Sequence, residues 1–193
     1  LSDEAMDTWW TQIIYHNSKR ELGKTITLCN DDIPSKINTM IVKDEKYKRK
    51  LKNIEELSGS KVGYEIPRIL ERLNVQNDDD QNMIDILPCT NMISVGVDVP
   101  RLGLMLINGQ PKTTAEYIQA SSRIGRSDRR PGIVVTHYSP TKPRDRSHYE
   151  NFISYHDSIY RYVEPTSVTP FSPPAMERAL HAALVIVMRQ TGE

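Results

Sequence analysis

Thr90-Asn91-Met92-Ile93-Ser94-Val95-Gly96-Val97-Asp98-Val99-Pro100 leads into Leu104-Met105-Leu106-Ile107-Asn108. Pro111-Lys112-Thr113-Thr114-Ala115-Glu116-Tyr117-Ile118 follows, and Gln119-Ala120-Ser121-Ser122-Arg123-Ile124-Gly125-Arg126 closes the stretch. Leu104–Asn108 is an apolar run of strand length. Thr113 or Thr114 is the kind of residue that caps a helix start, and the spacing predicts a helix reaching about Ser122. A glycine and a carboxylate thus precede a strand, and two arginines three apart follow a helix. Either pattern alone is weak. Both in this order, with a strand and a helix between them, carry a specific signal, and the arginines suit the clamping of an anion.

The flanking sequence repeats the alternation. Upstream, Thr11-Gln12-Ile13-Ile14-Tyr15-His16 reads as a short buried strand. Ser18 and Glu21 form a capping-box pattern for a helix over residues 19–28. Ile54-Glu55-Glu56-Leu57 is a strand candidate that exits through Ser58-Gly59-Ser60. A helix fits residues 66–73, with Pro67 in its first turn. Met83-Ile84-Asp85-Ile86-Leu87-Pro88 is a strand ending at Cys89-Thr90, and Gly132-Ile133-Val134-Val135-Thr136-His137-Tyr138 is a further buried strand. Strands alternating with helices give an α/β class, a mostly parallel sheet with flanking helices.

After Ser139 the character changes. Pro140, Pro143 and Arg144-Asp145-Arg146 read as a link, and residues 149–162 as a helical stretch with Tyr149, Phe152, Tyr155, Tyr160 and Tyr162. Such a stripe packs a core or stacks bases. A Pro-rich loop then leads to an apolar helix over residues 175–189, which seeks a partner surface. The expected organisation is one domain over residues 1–140 and a C-terminal helical extension over residues 141–193.

Composition narrows the function classes. The 193 residues carry a formal net charge of zero, so any basic surface for nucleic acid is local. The run Lys43-Asp44-Glu45-Lys46-Tyr47-Lys48-Arg49-Lys50-Leu51-Lys52 is either an arm that touches phosphates or a solvated face. Cys29 and Cys89 have no His or Cys at ligand spacing, so neither a metal site nor a disulfide framework is expected, and a reducing cytoplasm fits. Asn77-Asp78-Asp79-Asp80-Gln81 lacks calcium-loop spacing and reads as a solvated turn. No apolar run approaches membrane-spanning length and no signal-like start is present, so neither membrane insertion nor export is expected. A start at Leu1 fits a fragment of a longer protein, or processing. Gly23-Lys24-Thr25 ends like a phosphate-binding loop, but Ser18 stands where that loop needs its first glycine, and Lys19-Arg20-Glu21-Leu22 looks helical.

The two motifs can do definite chemistry. A glycine in a loop after a strand lets the backbone approach a ligand. A carboxylate two residues on can accept hydrogen bonds from ribose hydroxyls, or simply stabilise a turn with Pro100. Arg123 and Arg126 can converge on phosphate oxygens, or form surface ion pairs with Glu116 or Asp128.

Thr90-Asn91 through Gly96-Val97-Asp98-Val99-Pro100 resembles motif V of superfamily 2 helicases. Gln119 through Arg126 resembles motif VI, Gln-x-x-Gly-Arg-x-Gly-Arg. Tyr15-His16-Asn17-Ser18-Lys19-Arg20-Glu21-Leu22 stands where motif IV belongs, and Leu57-Ser58-Gly59 where a nucleic-acid-contacting turn follows. The resemblance covers residues 11–140. More narrowly, Asn91–Asp98 with Gln110–Gln119 is similar to DrmA-like helicases of the DISARM phage-defence system. Tyr149-Glu150, Phe152 and Ser167-Val168-Thr169-Pro170-Phe171 carry that likeness into the tail.

The resemblance implies the second RecA-like domain of a two-domain motor. It implies that Arg123 and Arg126 are arginine fingers for the γ-phosphate of ATP, and that Gln119 senses that phosphate or its attacking water. Asp98 would bind a ribose hydroxyl and Gly96 would lie against the nucleotide. Asn17, Ser18, Ser58 and Thr90 would contact a nucleic-acid backbone. The implied cofactor is ATP with Mg2+, the ion held mainly by an N-terminal RecA-like domain of the same protein. The implied partners are that domain, nucleic acid (DNA rather than RNA) and other defence-system proteins. Ser122 departs from the glycine of motif VI, and Val95 stands where many relatives have arginine. No Gly-x-x-x-x-Gly-Lys-Thr and no Asp-Glu-x-His occurs in the sequence, so the chain alone is expected not to hydrolyse ATP. Two other readings stay open: a catalytically inactive nucleic-acid-binding or scaffold module of the same fold, and a degenerate P-loop kinase or NTPase using Lys24.

Overall fold

The computed structural model describes residues 3–40, 49–75, 82–94, 97–165 and 171–192. They fall into two compact units, Leu1–Val163 and Glu164–Glu193. The first holds four strands, β1 (Gln12–His16), β2 (Ile86–Cys89), β3 (Leu104–Asn108) and β4 (Ile133–His137), all parallel, in the order β2-β1-β3-β4. Its helices are α1 (Asp3–Trp10), α2 (Lys19–Asn30), α3 (Asp32–Thr39), α4 (Glu65–Leu73), α5 (Thr114–Ser121), α6 (Pro143–Glu150) and α7 (Phe152–Asp157).

The period of two in the strands sets the layers. Ile13, Tyr15, Leu87, Cys89, Met105 and Ile107 share one face, packed by Ile69 and Leu73 of α4, Tyr117 and Ala120 of α5 and Tyr155 of α7. Ile14, Ile86 and Leu106 face the other way, against Cys29 of α2 and Ile33 of α3. Each fully buried side chain such as Ile13 or Leu87 stabilises the fold by about 1.5–3 kcal/mol. This is the α/β sandwich expected from the alternation, and a C-terminal helix, α8 (Pro173–Thr191), extends it in the second unit. Among its described residues that unit has one helix, and Leu180, Leu184, Val185 and Ile186 find no core within it.

Local chemistry fixes the helix starts. Ser18 caps α2 by accepting from the Glu21 amide at 3.3 Å, and Gly23-Lys24-Thr25 lies inside that helix, where it cannot wrap phosphate. The capping box is only half made, because Glu21 Oε1 accepts from Lys142 Nζ at 2.6 Å. Thr113 caps α5 through the Glu116 amide at 3.1 Å.

Several expectations change. Ile54–Leu57 forms no ladder; it makes two isolated parallel bridges to the outer edge of β2, Ile54↔Ile86 and Leu57↔Cys89. Strand β4 is not buried on both faces. Ile133 and Val135 are 51% and 49% exposed, because α2 and α3 cover β1 and β2 but not this edge strand. Residues 143–146 are not a link but the start of α6, with Pro143 in its first turn. The Asp145 carboxylate is buried there and accepts from the amides of Gln110 and Ser139, each at 2.9 Å. The aromatic stretch is broken at Asn151 into α6, α7 and a 3-10 turn over Ile159–Tyr162. Tyr155 enters the core while Tyr149, Phe152, Tyr160 and Tyr162 stay exposed.

Helices α1 and α3 carry no strong sequence signal. Long-range pairing anchors α1: buried Asp7 binds Arg101 at 3.3 Å and Arg130 at 3.1 Å. Arg101 also donates to the Leu73 carbonyl and to Thr11 Oγ1, both at 2.7 Å. The end of the basic run is structural too. Arg49 stacks 4.6 Å from the Trp10 ring and binds Asp85 at 2.9 Å. Residues 43–48 of that run, the acidic loop at residues 77–81 and Ser167–Pro170 lie outside the described residues.

Candidate functional site

Helix α5 starts beyond the C-terminal end of β3 and runs back along the sheet. Just after it, the Gly125 amide donates to the Leu102 carbonyl at 2.9 Å, close to where β3 begins. Candidate side chains therefore collect at both ends of this helix.

At its C-terminal end, Arg126 Nη1 meets Asp98 Oδ1 at 2.7 Å. The acid paired with Arg126 is thus Asp98, not Glu116 or Asp128, the partners that the alternative surface-pair reading named. Asp98 is 70% exposed and Arg126 36%, so both heads stay accessible. Arg123 is turned inward: Nη1 donates to the Val97 carbonyl at 3.1 Å and Nη2 to the Ser94 carbonyl. It thereby grips the backbone on both sides of Val95 and Gly96, which lie outside the described residues. Gln119 is exposed on the same helix. Ser122 has φ −68° and ψ −1°, ordinary helical geometry, so the missing motif glycine costs the turn nothing. Gly125 is different: at φ +66° its backbone lies against Gly132, and a Cβ would sit 2.6 Å from the Gly132 nitrogen.

At the other end, a cleft of about 260 Å3 opens where β1, β2 and β3 stop. Asn17, Ser18 and Thr90 line it together with His16, Lys19 and Lys112. Three of the four nucleic-acid candidates thus converge. Ser58 is beside them in sequence to Gly59, another wall residue, but its side chain is fully buried, donating to Glu56 and accepting from the Ser60 amide. Asn17 also turns its donor inward, Nδ2 to the Gly109 carbonyl at 3.0 Å. Glu116 reaches the cleft from the first turn of α5 and accepts from the Tyr15 hydroxyl. Burial, reinforced by that carboxylate, raises the Tyr15 pKa well above its usual value, so the phenol stays protonated.

Lys19, Lys112 and His16 were not singled out from sequence. Their signal was position: each lies within two residues of a helix cap at a strand's C-terminal end, where ligands gather in open α/β sheets. Burial pushes the Cys89 and Cys29 thiols up, and both are free. Among the described residues no cluster of His, Cys, Asp and Glu could hold a metal, and no helix is long and apolar enough to cross a membrane.

Residues 8–128, from the end of α1 through the Arg126 turn, match the helicase conserved C-terminal domain. The chain belongs to this family. The DISARM protein DrmA of Bacillus paralicheniformis is 45% identical over 197 residues, covering 98% of this chain and 17% of DrmA. The Druantia protein DruE of Escherichia coli is 36% identical over 75 residues, 39% of this chain and 4% of DruE. The chain thus corresponds to a small part of the length of either relative. Among solved structures, the DUF1998 helicase MrfA bound to DNA superposes with a TM-score of 0.62 at 18% identity, covering 94% of this chain and 21% of that one. The Mycobacterium smegmatis helicase Lhr, bound to single-stranded DNA and AMP-PNP, gives 0.60 at 14% identity, covering 82% and 18%. This helicase C-terminal domain is a RecA-like domain of superfamily 2, related to DrmA-like DISARM helicases.

Proposed function

We propose that the domain is the C-terminal motor half of an ATP-dependent helicase or translocase acting on nucleic acid, DNA rather than RNA, in phage defence. The observation that carries this reading is the meeting of Asp98 and Arg126 at 2.7 Å. A ribose-binding carboxylate and a phosphate-binding guanidinium, 28 residues apart in sequence, share one accessible surface. Likeness to DrmA, and to MrfA and Lhr as bound to DNA, supports the choice of partner.

The residues fit a nucleotide shared with a second domain. Asp98 offers acceptors to a ribose, and Arg126 offers a fixed positive charge that no physiological pH removes. Arg123 acts on the backbone that carries Asp98, through the Ser94 and Val97 carbonyls, and Gln119 lies one helical turn before it. ATP with Mg2+, when bound, supplies the phosphoryl group, and the N-terminal RecA-like domain supplies the Walker lysine and most of the Mg2+ ligands. At the far end of α5, Asn17, Ser18 and Thr90 hold a backbone without reading bases.

The test is nucleic-acid-stimulated ATP hydrolysis by the full-length protein. Arg126→Ala lowers turnover by about 10³ or more, with strand binding kept. Undiminished turnover in that variant refutes the proposal.

A further inference from the structure

We propose that His16 is a neutral hydrogen-bond donor, through Nε2–H, to a backbone phosphate of the bound strand, and that Asn108 and His137 are positioning residues that fix its tautomer. The inference rests on the cleft at the C-terminal ends of the strands being the nucleic-acid site.

The register supplies the arrangement. His16, Asn108 and His137 are successive partners across β1, β3 and β4, each the last residue of its strand. Asn108 Nδ2 lies 3.3 Å from His16 Nδ1, and His137 Nδ1 lies 3.2 Å from Asn108 Oδ1. An amide nitrogen only donates and an amide oxygen only accepts. His137 therefore donates from Nδ1, and His16 accepts at Nδ1. A neutral imidazole that accepts at Nδ1 carries its hydrogen on Nε2. Burial keeps the ring neutral by pushing the His16 pKa down; Glu21 opposes this and Lys142 adds to it.

That Nε2–H is the unusual group. His16 is 1% exposed and lines the cleft, yet Nε2 is buried with no partner among the described residues. A buried donor left unpaired is costly, and such groups mark places where a ligand completes the bonding. Nearby groups do not fill the role. Glu116 is held by the Tyr15 hydroxyl, and Asn17 Oδ1 and Glu21 Oε2, buried acceptors with no partner of their own, do not bond Nε2 either. Lys19 and Lys112 bring positive charge to the same cleft. The ligand that matches a neutral donor under two cations is a phosphate oxygen.

Binding of the chain to fluorescein-labelled oligo(dT), followed by anisotropy over a range of salt concentrations, tests this. His16→Leu weakens binding about tenfold, the scale of one hydrogen bond to a charged group. His16→Gln, whose amide nitrogen takes the place of Nε2, stays within about twofold. Neither changes the salt slope, because no charge is lost, whereas Lys112→Ala lowers it by about 0.7. Imidazole 15N spectra of the unbound chain show the Nε2–H tautomer at His16, a readout that does not depend on any variant folding.

Wild-type affinity in His16→Leu, a slope change in that variant, or an Nδ1–H tautomer overturns the proposal. If Lys112→Ala weakens binding and His16→Leu does not, the His16 contact falls and the nucleic-acid reading stands. If the wild-type chain binds no strand, both fall.

Discussion

Alanine at position 125 probes how the arginine pair is held. Gly125 has φ +66°, a region that costs an L-residue about 1–2 kcal/mol. The added Cβ would lie 2.6 Å from the Gly132 nitrogen and 2.9 Å from its Cα. Both are backbone atoms, so the two chain segments have to part, and overpacking of this kind costs about 1–3 kcal/mol. Together the two effects remove about 2–5 kcal/mol, which for a chain of this size lowers the melting temperature by about 4–20 °C. Gly132→Ala strikes the same contact from the other side, 2.7 Å from the Gly125 nitrogen. Once the segments have parted, the second methyl meets less resistance, so the double variant costs less than the two single changes added together. Urea unfolding followed by far-UV circular dichroism gives all three values. A Gly125→Ala chain within about 0.5 kcal/mol of wild type, the range of an ordinary surface substitution, would refute the reasoning.

Arg126→Ala costs under about 0.5 kcal/mol of stability because the Asp98 pair is exposed, whereas Arg123→Ala costs about 1–3 kcal/mol by losing two carbonyl partners. Thermal melts that rank the two the other way round contradict the assigned roles. Asp7→Ala leaves Arg101 buried without its carboxylate and costs about 3–5 kcal/mol, much of it recovered in Asp7→Leu/Arg101→Met. A urea series on the single and double variants checks this, and a double variant as weak as the single one argues against it. Burial lowers the pKa of His16 and His148, so the unfolded chain binds more protons than the folded one as pH drops below about 6.5. Their contribution to stability is complete above that pH and is lost as pH falls toward the depressed folded values. Melts between pH 7.5 and 5.5 show it, and His16→Gln flattens the profile.

What was legible in the sequence was local. Apolar runs gave the strands, and Ser18 and Thr113 gave two helix starts because a cap acts on an amide three residues away. What was hidden was made at long range. Helix α1 depends on Asp7 meeting Arg101 and Arg130, 94 and 123 residues on. Glu116, one of the two acids that the surface-pair alternative offered to the arginines, bonds Tyr15, 101 residues away, and Arg126 pairs with Asp98. The motif residues were readable as types, but their division of labour was not. Arg123 and Arg126 look equivalent in sequence, and only the packing turns one inward and leaves the other at the surface.

Helix α5 has its first turn fastened to β1 by the Tyr15–Glu116 bond, and the residues just beyond it fastened to the Leu102 carbonyl through Gly125. Between Glu116 and Arg123 lie about 10 Å of helical rise, with no glycine or proline to absorb a displacement. Such an element behaves as a connecting rod. In the proposed motor, a strand pressing on Glu116 in the cleft would push lengthwise on the arginines, and a nucleotide drawing Arg126 off Asp98 would pull on the cleft.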